Sequence, residues 1–192
     1  MRNQLACGAL VLAAAGLASA DPGRPAPPAP AAPAVHDGQS DFDFLVGTWK
    51  VKNRVLDGWL KGSTTWYEFD AIAIERPIWG GKGIVEEWDG TSPKRRIQGL
   101  GVRLYDPAAQ HWSIWWADRS VGQVFTPPVV GTFKDGRGEF YSDQTLDGKP
   151  NRTRIVWTKL SRDALRWEQA YSIDGGKTWE TNWVMSFTRA AP

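Results

Sequence analysis

The chain has 192 residues, with 23 Lys and Arg against 21 Asp and Glu, and a formal net charge of +2 at pH 7. That near balance gives no concentrated basic field, which argues against a nucleic-acid partner or an anionic membrane surface. A single cysteine, Cys7, excludes an intrachain disulfide framework, and two histidines, His36 and His111, cannot supply a histidine metal cluster.

In chain order, residues 1–20 read as a secretory signal: Arg2 gives the positive start, Leu5 to Leu17 the apolar stretch, and Ala18-Ser19-Ala20 an A-x-A cleavage site. The apolar stretch is too short to span a bilayer, and no later segment approaches the roughly 20 apolar residues that a transmembrane helix needs. A lipoprotein reading of Cys7 fails because its apolar stretch follows the cysteine rather than preceding it. The expectation is a periplasmic or secreted protein starting at Asp21, with 22 basic against 21 acidic residues once Arg2 is removed. Residues 21–40, rich in Pro and Ala, are expected to form a flexible linker. Residues 41–190 remain as one domain, long enough for a sizeable core.

That domain alternates apolar and polar residues with period 2, and turn signals arrive about every 8 to 14 residues, the spacing of an all-β meander. Strands are expected at 46–55, 62–76, 82–89, 97–106, 110–119, 123–134, 137–146, 151–160, 163–173 and 178–189. Trp88-Asp89-Gly90, Asp106-Pro107, Asp135-Gly136, Asp147-Gly148 and Gly175-Gly176 are expected to supply the turn chemistry between them. Short loops make sequential strands antiparallel neighbours. About ten such strands leave two open edges unless the first meets the last, so the up-and-down meander is expected to close into a barrel.

The last hairpin allows a register prediction. A two-residue turn at Gly175-Gly176 would set Trp183 opposite Glu168 and put the apolar residues of the two strands on opposite faces. A longer, bulged connection aligns Trp167 with Met185 and Gln169 with Trp183, and is predicted instead. The loop residues Asp174, Gly175, Gly176, Thr178 and Trp179 resemble the Asp-box of sialidases and related propellers. That likeness implies a hairpin geometry rather than an activity, and a single copy argues against a propeller.

Chemistry is sparsely signalled. No nucleophile constellation, phosphate loop or metal spacing stands out, so neither a cofactor nor a metal is expected. Glu68 with Asp70, and Glu86-Glu87 ahead of Trp88, are the carboxylates considered for acid/base work, with Glu68, Asp70 and Glu87 carried forward; such work would need two of them in one cavity. Polar residues among inward aromatics are of more interest, since a buried polar group needs a partner or a ligand. On that ground Trp66, Arg103, Trp115, Arg154, Trp167, Gln169, Tyr171 and Trp183 are candidate pocket residues. Trp115 and Trp116, being adjacent in a strand, must point to opposite faces.

The segments Asp43 to Trp49, Gly131 to Tyr141, and Trp167 to Ser172 with Asn182-Trp183 resemble a bacterial family of uncharacterised exported domains. That family is in turn similar to calycins, the lipocalin and fatty-acid-binding-protein group. There, G-x-W opens the first strand and an arginine of the last strand packs across the tryptophan. Gly47, Trp49 and Arg189 match those positions, which implies a calycin-like barrel latched at one end, with any ligand towards the other. No histidine follows His111 to act as the ligand that haem-binding barrels of this type use. The readings carried forward are a barrel binding a small lipophilic or aromatic molecule, a carboxylate-dependent hydrolase or isomerase, and a cell-envelope interaction module. Oligomeric state is not signalled.

Overall fold

Burial alternates residue by residue along most of the long strands, in β1 as intermediate or exposed positions between Trp49, Val51, Asn53 and Val55, so each presents one face to a common interior. The structure is a computed structural model that describes residues 37–191; the expected signal at 1–20 and residues 21–36 of the expected linker lie outside the described residues. Eleven strands follow: β1 Gly47–Leu56, β2 Trp66–Ile78, β3 Gly83–Thr91, β4 Arg96–Asp106, β5 His111–Asp118, β6 Gln123–Val124, β7 Val129–Lys134, β8 Arg137–Leu146, β9 Lys149–Lys159, β10 Ala164–Ser172 and β11 Glu180–Arg189. Two short 3-10 turns, Asp43–Leu45 and Trp79–Gly81, are the helical segments among the described residues.

All pairings are antiparallel, β1 pairs with β11, and β4 pairs with β5. Ten strands therefore close into a calycin-like barrel, with β6 a short flap on β5. The expected strand 123–134 is divided, because Pro127 and Pro128 carry no N–H for a ladder. The last hairpin has the predicted alignment, Trp167 opposite Met185 and Gln169 opposite Trp183. Its bulge lies within β11 rather than at the glycines. Tyr171 pairs with Glu180 and Ala170 with Thr181 near the loop, and the register then shifts by one at Asn182. Asn182, which strand parity alone would set on the face opposite Trp183, is consequently fully buried.

One end of the barrel is sealed by a latch. The Arg189 guanidinium lies 4.1 Å from the Trp49 ring centroid. Its Nη1 donates to the Val46 carbonyl at 2.9 Å, Nη2 to the Phe44 carbonyl at 3.0 Å, and Nε to Asp163 Oδ1 at 3.1 Å. Trp49 Nε1 donates to the Leu45 carbonyl at 2.7 Å. Gly47 is required twice here: its φ is +130°, and a Cβ would lie 2.6 Å from Arg189 Nη1. These bonds hold the 3-10 turn across the barrel end, so that Phe42 is fully buried against Trp112, Phe133, Phe140 and Trp157. Packing starts as early as Gly38, whose carbonyl accepts from Trp112 Nε1 at 2.9 Å.

Arg189→Met should lower the unfolding free energy by about 2–4 kcal/mol, combining a lost cation–π contact with carbonyls left unpaired. Urea denaturation reads this directly. An unchanged midpoint would mean that the latch contributes nothing to closure.

Candidate functional site

Above the Phe42 plug the interior carries a buried charge cluster. Arg103 on β4 is 2% exposed and donates from Nη1 to Glu75 Oε2 and from Nη2 to Glu86 Oε2, each at 2.8 Å. Its guanidinium also faces the rings of Phe42 and Trp157 at 5.6 and 5.4 Å. Burial pushes the Glu75 carboxyl well above the usual range, with the neighbouring Glu86 adding to the upward shift against the pull of Arg103. The guanidinium set between two carboxyls compensates their charge in so dry a place.

Next along the axis comes a layer of aromatic rings. Trp183 meets Trp167 at 6.1 Å and Trp88 at 6.3 Å, Trp88 meets Trp116 at 6.3 Å, and Phe69 touches both Trp88 and Trp183. Gly99 makes room for Trp116, since a Cβ there would lie 1.9 Å from its Cζ2. Trp183 Nε1 donates to Asn53 Oδ1 at 2.9 Å. The layer separates the charge cluster from the unlatched mouth.

On the mouth side of that layer the inner wall of β8 to β11 is polar. Gln169 Nε2 donates to Asn182 Oδ1 at 3.0 Å, and Asn151 Nδ2 donates to Thr153 Oγ1 at 3.2 Å. Three further atoms on this wall, Ser142 Oγ, Asn151 Oδ1 and Asn182 Nδ2, are buried with no hydrogen-bond partner in the protein. Ser142 is directly opposite Thr153, and Thr153 opposite Tyr171, so β8, β9 and β10 bring these groups side by side. Trp59, from the β1–β2 loop, meets the Tyr171 ring edge-on at 5.4 Å. Burial pushes the Tyr171 hydroxyl up to about 12, so it is a neutral phenol across the physiological range. Trp183, Ile155, Gln169 and Tyr171 are only half-buried, and Gln169 is directly opposite both Trp183 and Ile155; this stretch of inner wall is called the mouth basin below.

Of the residues anticipated for a pocket, Trp167, Gln169, Tyr171 and Trp183 come together around this basin. Arg103 is inside the barrel but beyond the aromatic layer, and both its terminal nitrogens donate to carboxylates. Trp66, Trp115 and Arg154 require correction: they project outward. Trp66 shares a face with exposed Glu68 and Asp70 and lies under the Arg54 guanidinium at 4.6 Å; Trp115 alternates with the inward Ile114 and Trp116; Arg154 stacks on Trp179 at 4.5 Å outside the barrel. Glu68, Asp70 and Glu87 are likewise exposed on the outer face, and Glu87 pairs with Arg76. They share no interior cavity, so acid/base work by these three is excluded.

Sequence reasoning passed over Ser142, Asn151, Thr153 and Glu75, and set Glu86 beside Glu87 rather than with Glu75. The parity signal was present, since Glu75 alternates with Phe69, Ala71 and Ala73, and Asn151 and Thr153 with Trp157. The Asp-box loop is structural: Asp174 accepts from the Thr178 amide and hydroxyl, from the Lys177 amide and from the Ser172 hydroxyl, which holds its carboxyl far below the usual range. Trp179 folds back against Tyr141 on the outer surface.

Two grooves lie outside the lumen. One, of about 530 Å³, runs over the outer face of β2 to β6 past Ile72, Ile74, Leu100, Ala117 and Val124; the other, of about 730 Å³, sits at the latched end beside Asp43, Phe44, Phe133 and Lys159. At the mouth, Arg95 and Ser120 draw the carboxyl of buried Asp118 down to about 2, overriding the upward pull of its own burial.

Stability should therefore fall on both sides of weakly acidic pH. Glu75 is raised, so its contribution is complete below the unfolded carboxyl range near 4.5 and is lost as pH rises through its folded value. Asp118 is depressed, so its contribution is present above its ordinary 3.8 and is lost as pH falls towards about 2. Urea unfolding across pH should show a decline on the alkaline side that Glu75→Gln flattens, and an acid limb that Asp118→Asn removes. Unaltered profiles in both variants would contradict the assignment.

No model of a known protein family matches the sequence, and no curated protein matches it. Among solved structures, the fold is similar to an S-type phycobiliprotein lyase, CPES, from Guillardia theta, at 15% identity and a TM-score of 0.56, covering 80% of this chain and 93% of that one. A designed fluorescence-activating β-barrel (13% identity, TM-score 0.42, covering 77% of this chain and 95% of that one) and a redesigned barrel, mFAP1, bound to DFHBI (15%, 0.42, 77% and 96%) are more distant. The likeness to the lyase is one of fold, that of a closed antiparallel barrel.

Proposed function

We propose that this protein is an exported barrel that holds a small molecule in the basin at its unlatched mouth. The supporting observation is the contrast between the two ends of the interior. The latched half is packed with aromatic rings around Arg103 and its two carboxylates; buried polar atoms without partners occur there too, Glu75 Oε1 and Arg103 Nε among them, but those at the mouth are Asn and Ser groups on a wall shared with half-buried Trp183 and Tyr171. Buried polar groups in a folded protein find partners, and a few convergent ones among aromatic walls are the makings of a small-molecule site. Export rests on the signal pattern of residues 1–20, with periplasmic or secreted destinations equally compatible.

A second reading, an interaction module for cell-envelope partners, draws on the outer groove. There Ile72 and Leu100 are each 42% exposed, and Val124 and Phe125 beside them are 54% and 44% exposed.

Protein recovered from the exported fraction, with Asp21 as its first residue, should show saturable quenching of tryptophan emission by 2-naphthol. Trp183→Phe and Tyr171→Ala should remove most of that response, while Trp66→Phe and Trp115→Phe on the outer face leave it intact. Quenching that survives in the first pair and vanishes in the second would move binding to the outer surface.

A further inference from the structure

Resting on the mouth-basin reading above, we infer that the basin is built for a neutral ring carrying a hydrogen-bond donor and an acceptor, of monosaccharide or cyclic-amide size, and not for a fatty acid or other anionic chain. The inference follows from what the polar wall offers. Asn182 Oδ1 is occupied by Gln169, so its Nδ2 is left to donate. Asn151 Nδ2 is occupied by Thr153, so its Oδ1 is left to accept. Ser142 Oγ can do either. Asn182, Asn151 and Ser142 are 0%, 5% and 8% exposed, so each free atom meets a ligand in a desolvated setting where an unmatched polar group is costly.

Among the described residues, the inward polar groups of this wall, Ser142, Asn151, Thr153, Gln169, Tyr171 and Asn182, carry no formal charge to receive an anion. The phenol of Tyr171 stays neutral. Arg103 lies beyond the aromatic layer and is bound by two carboxylates, and Arg95 at the rim is bidentate to Asp118. A carboxylate entering the basin would be desolvated with no cation to meet it. A long alkyl chain would also find the lumen closed by Trp88, Trp167 and Trp183, so depth as well as polarity favours a compact ligand. The rings of Trp59 and Tyr171 at the entrance supply the apolar faces on which a flat or chair-shaped ring can lie.

Saturation-transfer NMR on the full chain, with N-acetylglucosamine, glucose, uracil and 2-pyrrolidone as neutral probes and dodecanoate as the anionic one, tests this. Expected is transfer to at least one neutral ring, weakened about ten-fold by Asn151→Leu and less by Ser142→Ala, with both variants giving the parent circular dichroism spectrum, and no transfer to dodecanoate. Dodecanoate binding that depends on Tyr171 and Trp183, with all neutral rings silent, would overturn the ligand class and leave the basin standing. Silence of every probe together with an unresponsive Trp183 would overturn both.

Discussion

The guanidinium of Arg189 is shared between the main chain ahead of β1, the ring of Trp49 within β1, and the carboxylate of Asp163 in the loop before the last hairpin. Through it the first strand, the last strand and the capping turn become one unit. Strand pairing alone would close the sheet, but would leave an open tube. With the turn held across the end, Phe42 enters the interior and the latched half becomes a close-packed aromatic core. The other end has no such turn across it among the described residues, and there the interior carries half-buried side chains.

A barrel of this size can fill its lumen with side chains or keep part of it for a ligand, and here both occur in sequence along the axis. Charge is admitted only where it is cancelled. Two carboxyls and one guanidinium sit together in the dry half, where burial raises the Glu75 carboxyl and Arg103 bridges both acids. The ring layer around Trp183 then keeps that cluster from acting on the basin. The inner wall near the mouth is uncharged yet polar, a combination that suits recognition by hydrogen bonds rather than by ion pairing.

Much of this was legible in the order of residues. Period-2 alternation and turn dipeptides give ten of the strands, and the need to bury Trp167 and Met185 on one face fixes the last register before any coordinates. Gly47, Trp49 and Arg189 mark the latch. Side-chain direction was less accessible. Trp66 and Arg154 are as aromatic or as basic as any pocket residue, and only the pairing of their strands sends them outward. Asn182 faces inward because a bulge adds a residue to β11, a backbone event with no composition signature of its own. Glu75 and Glu86 were hidden for another reason: charged residues on strands are ordinarily solvent-facing, and only Arg103 from a neighbouring strand makes their burial tolerable.

The division of the interior into a dry, latched half and a polar mouth can be tested most directly by a crystal structure of the protein at a resolution that shows ordered solvent. The account predicts density for water or a compact ligand hydrogen-bonded to Asn151 Oδ1, Asn182 Nδ2 and Ser142 Oγ, and none between Phe42 and the Arg103 cluster. The contradictory result is a mouth closed by the β1–β2 loop, with these three groups bonded to protein atoms and no space beside Trp183.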